Sequence, residues 1–119
     1  MKIAISTSGN NLEAAVDPRF GRAAGFIICD TETGKFEYID NKQNLQAMQG
    51  AGIQAAKTVV DSGAKAVITG HCGPKAFMTL KSAGIAIYTG AAGTGSEMLD
   101  KFKRGELAES HQADVQGHW

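Results

Sequence analysis

The chain has 119 residues, a length suited to one domain with one hydrophobic core. Its 12 acidic and 12 basic residues give a formal net charge of zero, so no overall charge attracts the protein to nucleic acid or to an anionic membrane. No basic leader with a long apolar stretch precedes the first apolar residues. We therefore expect a cytoplasmic protein without a membrane segment, in which Cys29 and Cys72 are reduced thiols.

The first third of the chain predicts three strands. An apolar strand begins at Ile3 and is followed by a long polar loop at residues 7–24. The strongly apolar segment Gly25–Thr31 predicts a second strand, and Lys35–Asp40 alternates apolar and polar residues as a half-buried third strand does. A turn at residues 32–34 joins the last two strands, so we expect an antiparallel meander.

After residue 50 the apolar residues recur at helical spacing and alternate with short apolar strands. Helices are predicted at residues 50–63, 74–84 and 94–105, the second because a proline suits its first position and the third because it opens with a capping box. Each of these segments ends at a glycine, which is typical of a helix C-terminus. The strands between them are Ala66–Ile68 and Ile85–Tyr88.

The element order βββαβαβα predicts an α/β domain with a mixed five-stranded sheet at residues 1–105, followed by a flexible polar tail at residues 106–119. Helices that join strand three to four and strand four to five make those strands parallel, and the meander makes strand one parallel to strand three. The carboxyl ends of strands one, four and five therefore lie at the same edge of the sheet. Loops at residues 7–24, 70–73 and 90–95 follow those ends. We expect a ligand crevice at this edge, because ligands of open α/β sheets bind where the strand order reverses.

The loop at residues 70–73 contains the candidate metal ligands His71 and Cys72. They precede a helix, whose dipole favours the thiolate form of a nearby cysteine. Thiolate and imidazole suit iron, copper and molybdenum–sulfur chemistry. The alternative is that Cys72 packs as a small apolar residue and His71 only caps the loop. Cys29 lies inside an apolar strand and is assigned to the core.

The loop at residues 7–24 suits an anionic ligand. Arg19 and Arg22 lie on either side of Phe20 and Gly21, so two guanidinium groups would stand beside the predicted crevice. Guanidinium groups favour a phosphate or a thiometalate anion. The alternative is an ordinary solvated loop in which Arg19 pairs with Asp17.

The loop at residues 90–95 opens a helix, where backbone N–H groups around Gly90 and Gly93 can form an anion-binding nest, or simply a tight turn. It lacks the Lys-Ser/Thr pair of a nucleotide phosphate loop. No Ser-His-Asp set or pair of carboxylates falls on this edge. Asp30, on the second strand, cannot alone hold the two metal ions of a nuclease, so we expect no nuclease activity. Without a hydrolytic site on this edge we expect a binding protein rather than an enzyme.

Several motifs together carry a resemblance to a known family: residues 17–23 (DPRFGRA), 50–56 (GAGIQAA), 67–76 (VITGHCGPKA) and 80–88 (LKSAGIAIY). Their sequences and order resemble the dinitrogenase iron–molybdenum cofactor accessory family, to about residue 105. The resemblance implies a ribonuclease-H-like three-layer fold without the nuclease acids. It also implies binding of nitrogenase cofactor precursors, with an orange-protein-like branch that holds a molybdenum–copper sulfide cluster.

The resemblance and the residues together predict a carrier or scaffold for a metal–sulfur cluster of the molybdenum–copper sulfide or iron–molybdenum type. The predicted binding residues are Arg19, Phe20, Arg22, Gly73, Gly90 and Gly93, with His71 and Cys72 as metal ligands. The family pattern varies at these last two positions, so their assignment rests on the residues alone. We expect a monomer that meets a cluster-donating or cluster-receiving protein. The alternative function is a phosphate- or nucleotide-binding enzyme that uses the glycine-rich loops.

Overall fold

The computed structural model describes residues 1–42 and 50–113. In chain order, the strands are β1 (Lys2–Thr7), β2 (Gly25–Asp30), β3 (Phe36–Asp40), β4 (Ala66–Ile68) and β5 (Ala86–Tyr88). The helices are α1 (Ala51–Asp61), α2 (Pro74–Ser82) and α3 (Gly95–Lys103). None of the helices in the described part of the chain is long and apolar enough to cross a membrane.

The strands form one mixed sheet in the order β3-β2-β1-β4-β5. β2 runs antiparallel to both β1 and β3, whereas β4 runs parallel to both β1 and β5. The predicted meander and the predicted parallel set are therefore confirmed. The strand order reverses between β1 and β4, since the chain leaves β1 toward β2 and returns on the other side of β1.

Helices cover both faces of the sheet and give the molecule three layers. α1 and α2 pack on one face, where Ala56, Val59 and Leu80 meet Ala4 of the central strand. α3 packs on the other face, where its apolar residues meet the alternate residues of the same strands, such as Ile5. Because β1 is buried on both faces, residues 3–5 of this strand are continuously apolar rather than alternating.

The helix ends follow the local signals in the sequence. Pro74 occupies the first turn of α2, where its missing N–H costs nothing. At the start of α3, Thr94 accepts a hydrogen bond from the Glu97 N–H and the Glu97 carboxylate accepts one from the Thr94 N–H, which completes the predicted capping box. Gly63, just after α1, has a φ of 85°, in the left-handed region that favours glycine.

Residues 106–113, which the sequence predicts to belong to a flexible tail, lie along the outer edge of β5. The Ser110 N–H donates to the Ile87 carbonyl at 2.7 Å, and the Ser110 and Thr89 hydroxyl oxygens lie 2.6 Å apart. Glu109 pairs with Lys81 of α2 at 3.3 Å. These contacts cover one edge of the sheet; the flexibility of the tail stays a prediction, and His118 and Trp119 lie outside the described residues.

Candidate functional site

Three loops meet at the carboxyl edge of the parallel strands. They are the first loop (residues 8–24, after β1), the second loop (residues 69–73, after β4) and the third loop (residues 89–94, after β5). The parallel pairing of β1, β4 and β5 places the three strand ends at one edge of the sheet. We call this edge the loop edge.

The first and second loops are joined backbone to backbone. The His71 N–H donates to the Pro18 carbonyl at 2.7 Å, and the Phe20 N–H donates to the His71 carbonyl at 3.2 Å. Arg19 and His71 are therefore paired as a parallel bridge. Gly70 permits this approach, since a Cβ atom there would lie 2.6 Å from the Pro18 Cα. The structure thus brings the backbones of Arg19 and His71 together from distant parts of the chain.

The third loop is tied to both of the others. The Gly90 N–H donates to the Gly70 carbonyl at 2.8 Å, and the Ala91 N–H donates to the Thr69 carbonyl at 3.1 Å. The Val16 N–H of the first loop donates to the Gly93 carbonyl at 2.8 Å. The N–H group of Gly90 is therefore bonded within the protein, and an anion nest in this loop stays a prediction.

Buried polar side chains at the ends of the strands form hydrogen bonds with these loops. They are not among the residues predicted from the sequence. The Ser6 hydroxyl donates to the Asp17 carbonyl at 2.7 Å, its oxygen lies 2.8 Å from the Thr69 hydroxyl oxygen, and all three residues are buried. Asn41, just after β3, is fully buried and donates from its side-chain amide into the first loop. The available signal was a polar residue at or just after the end of a predicted strand.

Helices α1 and α2 begin side by side at the loop edge. A Cβ atom added to Gly52, in the first turn of α1, would lie 3.2 Å from the Ala76 Cβ in the first turn of α2. Among the described residues, no side chain caps either helix, whose N-caps are Gly50 and Gly73, and neither first turn carries an acid. Each N-terminus has a partial positive charge of about half an elementary charge, so an anion is stabilised between them.

The arginines and the histidine of the site are at least partly accessible. The Arg19 side chain is 48% exposed, and its Nε lies 3.7 Å from Oδ1 of the buried Asp17. The same Asp17 oxygen accepts a hydrogen bond from the Arg19 N–H at 3.0 Å. The ion pair that the sequence analysis gave as an alternative is therefore present. Arg22 and His71 are half-buried.

Phe20 and Cys72 lie beneath the loop edge, not on its surface. Both have 0% exposure. Phe20 packs against Phe26 with ring centroids 5.2 Å apart, and Cys72 belongs to the same apolar cluster, with its Sγ 3.7 Å from the Gly73 carbonyl oxygen. This is the packing that the sequence analysis gave as the alternative for Cys72. Contact of either side chain with a bound cluster stays a prediction and requires the loop edge to open.

Cys29 lies in the core on the α3 face, as the sequence predicted. Burial raises the pKa of its thiol and is the largest effect. The charge of Lys103 lowers this pKa, and the charge of Asp30 raises it. Within the described ranges, residues 1–42 and 50–113, no group of three or more His, Cys, Asp or Glu residues is placed to hold a metal ion.

A groove of about 310 Å³ lies away from the loop edge. It is open to solvent, at the end of the sheet where β1 begins and β2 ends, and is lined by Lys2, Ile28, Asp30, Thr33, Lys35, Phe36 and Glu37. The Asp30 carboxylate accepts hydrogen bonds from two N–H groups of the following turn, which lowers its pKa. The chemistry of the loops, rather than the size of this groove, identifies the candidate site.

The mixed sheet with helices on both faces defines a small α/β protein, and the three joined loops and the adjacent helix N-termini place its candidate site at the loop edge. The sequence model of the family described as dinitrogenase iron-molybdenum cofactor matches residues 1–105. The chain belongs to this family. The family resemblance inferred from the sequence motifs is thus confirmed.

Individual relatives agree with this assignment. An uncharacterised protein of Methanocaldococcus jannaschii is 33% identical over 112 residues, which cover 90% of this chain and 89% of that protein. The apo form of the orange protein from Desulfovibrio gigas has a TM-score of 0.94 and 38% identity, with 96% of each chain covered. A NifB-like protein of the DUF35 family from Thermotoga has a TM-score of 0.81 and 34% identity, covering 96% of this chain and 98% of its own.

Proposed function

We propose that the protein binds and carries a metal–sulfur cluster at the loop edge and does not transform it. The observation that carries this proposal is the joining of Arg19 and His71 by backbone hydrogen bonds, in the loop that leads into α2. The cargo that we infer is a thiometalate-type anion, either a molybdenum–copper sulfide or an iron–molybdenum cofactor precursor. The family description, which names the iron–molybdenum cofactor of dinitrogenase, supports this class of cargo.

Electrostatics supports an anionic cargo. The adjoining N-termini of α1 and α2 each stabilise an anion by about 0.3–1 kcal/mol. Arg19 and Arg22 of the first loop and Lys75 in the first turn of α2 add full positive charges. Asp17 offsets part of this charge through its ion pair with Arg19. A multiply charged sulfide anion fits this balance better than a neutral ligand, because no acid stands in the first turn of either helix.

Soft ligands are available in the second loop. His71 is half-buried and carries an imidazole that can ligate copper or iron. Cys72 would supply a thiolate, but its sulfur is buried, so we propose that it reaches a cluster only when residues 70–73 move outward. In this arrangement Gly73 is the N-cap of α2, and the N-terminus of that helix faces the cargo. Phe20 lies in the apolar cluster beneath the cargo.

The alternative of a nucleotide-binding enzyme has less support. It would use the N–H groups of the third loop and of the first residue of α3, and those of Gly90, Ala91, Thr94 and Gly95 donate to other protein atoms. In our proposal Gly90 and Gly93 instead provide the turn that brings the third loop against the other two; both have positive φ angles, 80° and 87°.

The architecture supports a carrier of the ribonuclease-H-like type. We propose this fold for the chain, with the element order βββαβαβα. The strand order β3-β2-β1-β4-β5, in which β2 is antiparallel to both of its neighbours, supports it. Fold alone does not define function, so the proposal depends on the loop edge. A carrier also needs a protein that delivers or accepts the cluster, and we propose that this protein approaches the loop edge of a monomer.

Anaerobic reconstitution tests the proposal. The apo-protein is mixed with tetrathiomolybdate and copper(I), or with iron(II) and sulfide, and is then desalted; its visible spectrum and metal content are measured. We expect a coloured protein from at least one mixture. Absence of colour and metal from both mixtures would remove the support for a carrier.

A pair of variants locates the cargo. Arg19→Gln removes a positive charge at the loop edge, whereas Arg104→Gln removes one at the far end of α3, where Arg104 pairs with Glu106 at 3.0 Å. We expect Arg19→Gln to lower the retained metal several-fold and Arg104→Gln to leave it unchanged. Equal retention by both variants would place the cargo elsewhere.

A further inference from the structure

We infer that Asn41 is a positioning residue for the cluster site, because its buried amide holds the backbone on both sides of Arg22. This inference rests on the proposed function, in which Arg22 contributes positive charge at the loop edge. It adds a residue that lies outside the three loops and outside the candidate residues of the sequence analysis.

The contacts of Asn41 converge on one arc of the first loop. Its Nδ2 donates to the Gly21 carbonyl at 3.2 Å and to the Ala23 carbonyl at 2.9 Å. Its backbone N–H donates to the Ala24 carbonyl at 3.0 Å. The side-chain amide of Asn41 therefore binds the carbonyls of the two residues that flank Arg22. The backbone N–H of Asn41 binds the carbonyl of the next residue, Ala24.

The burial of this amide indicates a specific role. Asn41 has 0% exposure, and burying an amide is unfavourable unless its hydrogen bonds are made. Both donors of the amide group are used on the loop, a pattern that an apolar residue of similar size cannot reproduce. Because Asn41 directly follows β3, its side-chain amide connects the first loop to the sheet.

The arc around Arg22 is held from both ends. On its N-terminal side, Phe20 is anchored in the core against Phe26. On its C-terminal side, the Asn41 amide fixes the carbonyl of Ala23. Arg22 lies between these anchors, so its backbone has little freedom and its long side chain starts from a defined point. Preorganisation of this kind strengthens binding by lowering the entropy lost when the ligand is bound.

A double-mutant cycle tests the inference. Binding of tetrathiomolybdate alone is titrated by visible absorption, without oxygen, for the wild type, Asn41→Ala, Arg22→Gln and the double variant. We expect Asn41→Ala to weaken binding about tenfold, which corresponds to about 1.4 kcal/mol. In the Arg22→Gln background the same substitution should change the affinity less than about twofold, because residues that act through one another are not additive.

Two further variants separate positioning from stability. Val59→Ala removes buried atoms from the distant half of α1 and should lower the unfolding midpoint while leaving the affinity within about twofold. Asn41→Ser keeps a single hydroxyl donor and should bind with intermediate affinity; it replaces Asn41→Ala in the cycle if the alanine variant does not fold.

The outcomes are distinct. Wild-type affinity in Asn41→Ala, or an equal loss in the Arg22→Gln background, would overturn the positioning role while the proposed function stands. A loss of affinity in Val59→Ala that matches its loss of stability would also overturn that role. If the wild type does not bind tetrathiomolybdate, the same cycle is run with the iron(II) and sulfide mixture. Failure of the wild type in both would instead count against the proposed function, and the inference would fail with it.

Discussion

Replacing Gly70 with alanine should separate the first loop from the second. The added Cβ would lie 2.6 Å from the Pro18 Cα and 2.8 Å from the Pro18 carbonyl oxygen. Both are backbone atoms of a residue whose ring restricts its φ angle, so neither can rotate away. Normal contact needs roughly 3.5 Å, so the two segments must move apart by about 1 Å.

The cost of that movement can be estimated from the hydrogen bonds it disturbs. The bond from the His71 N–H to the Pro18 carbonyl, now 2.7 Å, would lengthen beyond bonding distance, and the bond from the Phe20 N–H to the His71 carbonyl would weaken. Each contributes about 1 kcal/mol, and overpacking adds about 1–3 kcal/mol. We expect a loss of about 3 kcal/mol in the free energy of unfolding, or roughly 10 °C in the unfolding midpoint.

Thermal unfolding measures this effect, with Gly84→Ala as the control. Gly84 follows α2 with a φ of 77°, and a Cβ atom at this position would have no atom of the described residues within 4 Å beyond its chain neighbours. Alanine there therefore costs only the left-handed conformation, about 1–2 kcal/mol. Only Gly70→Ala should also lower cluster uptake. A midpoint for Gly70→Ala at or above that of Gly84→Ala would refute the steric reasoning.

Further predictions concern the thiols, the capping box and nuclease activity. Cys72→Ser should lower or spectrally alter the reconstituted cluster, whereas Cys29→Ser should change mainly the unfolding midpoint; an unchanged spectrum and occupancy in Cys72→Ser would exclude a thiolate bond. Hydrogen bonds from the Thr94 N–H and hydroxyl lower the pKa of Glu97, so its contribution to stability is present above its ordinary pKa of 4.5 and is lost as the pH falls below that value. The difference in unfolding midpoint between wild type and Glu97→Gln should therefore become smaller as the pH falls. A difference that stays constant from pH 7 to pH 3 would contradict this prediction. RNA–DNA hybrid should not be cleaved in magnesium or manganese, and cleavage that disappears in Asp30→Asn would show this expectation to be wrong.

Much of the candidate site could be located from the sequence because its position depends on topology. A helix between two strands makes those strands parallel, and the meander makes β1 parallel to β3, so the loops after β1, β4 and β5 had to meet at one edge. The side chains that fasten the loops together could not be predicted in this way. Ser6 and Asn41 look like ordinary polar residues at strand ends, and their partners lie in distant segments of the chain.

The sequence by itself determined the elements and the edge at which their loops converge. Those features depend on local signals, such as Pro74 at the start of α2 and the capping box of α3, and on the period of the apolar residues. Only the tertiary structure decided which side chains of the loops reach solvent. Cys72 and Phe20 are buried and Arg19 is exposed, although all three belong to polar, glycine-containing loops. The reason is physical: burial is set by contacts between segments far apart in the chain, such as those of the apolar cluster that contains both Phe20 and Cys72, and no local pattern encodes those contacts.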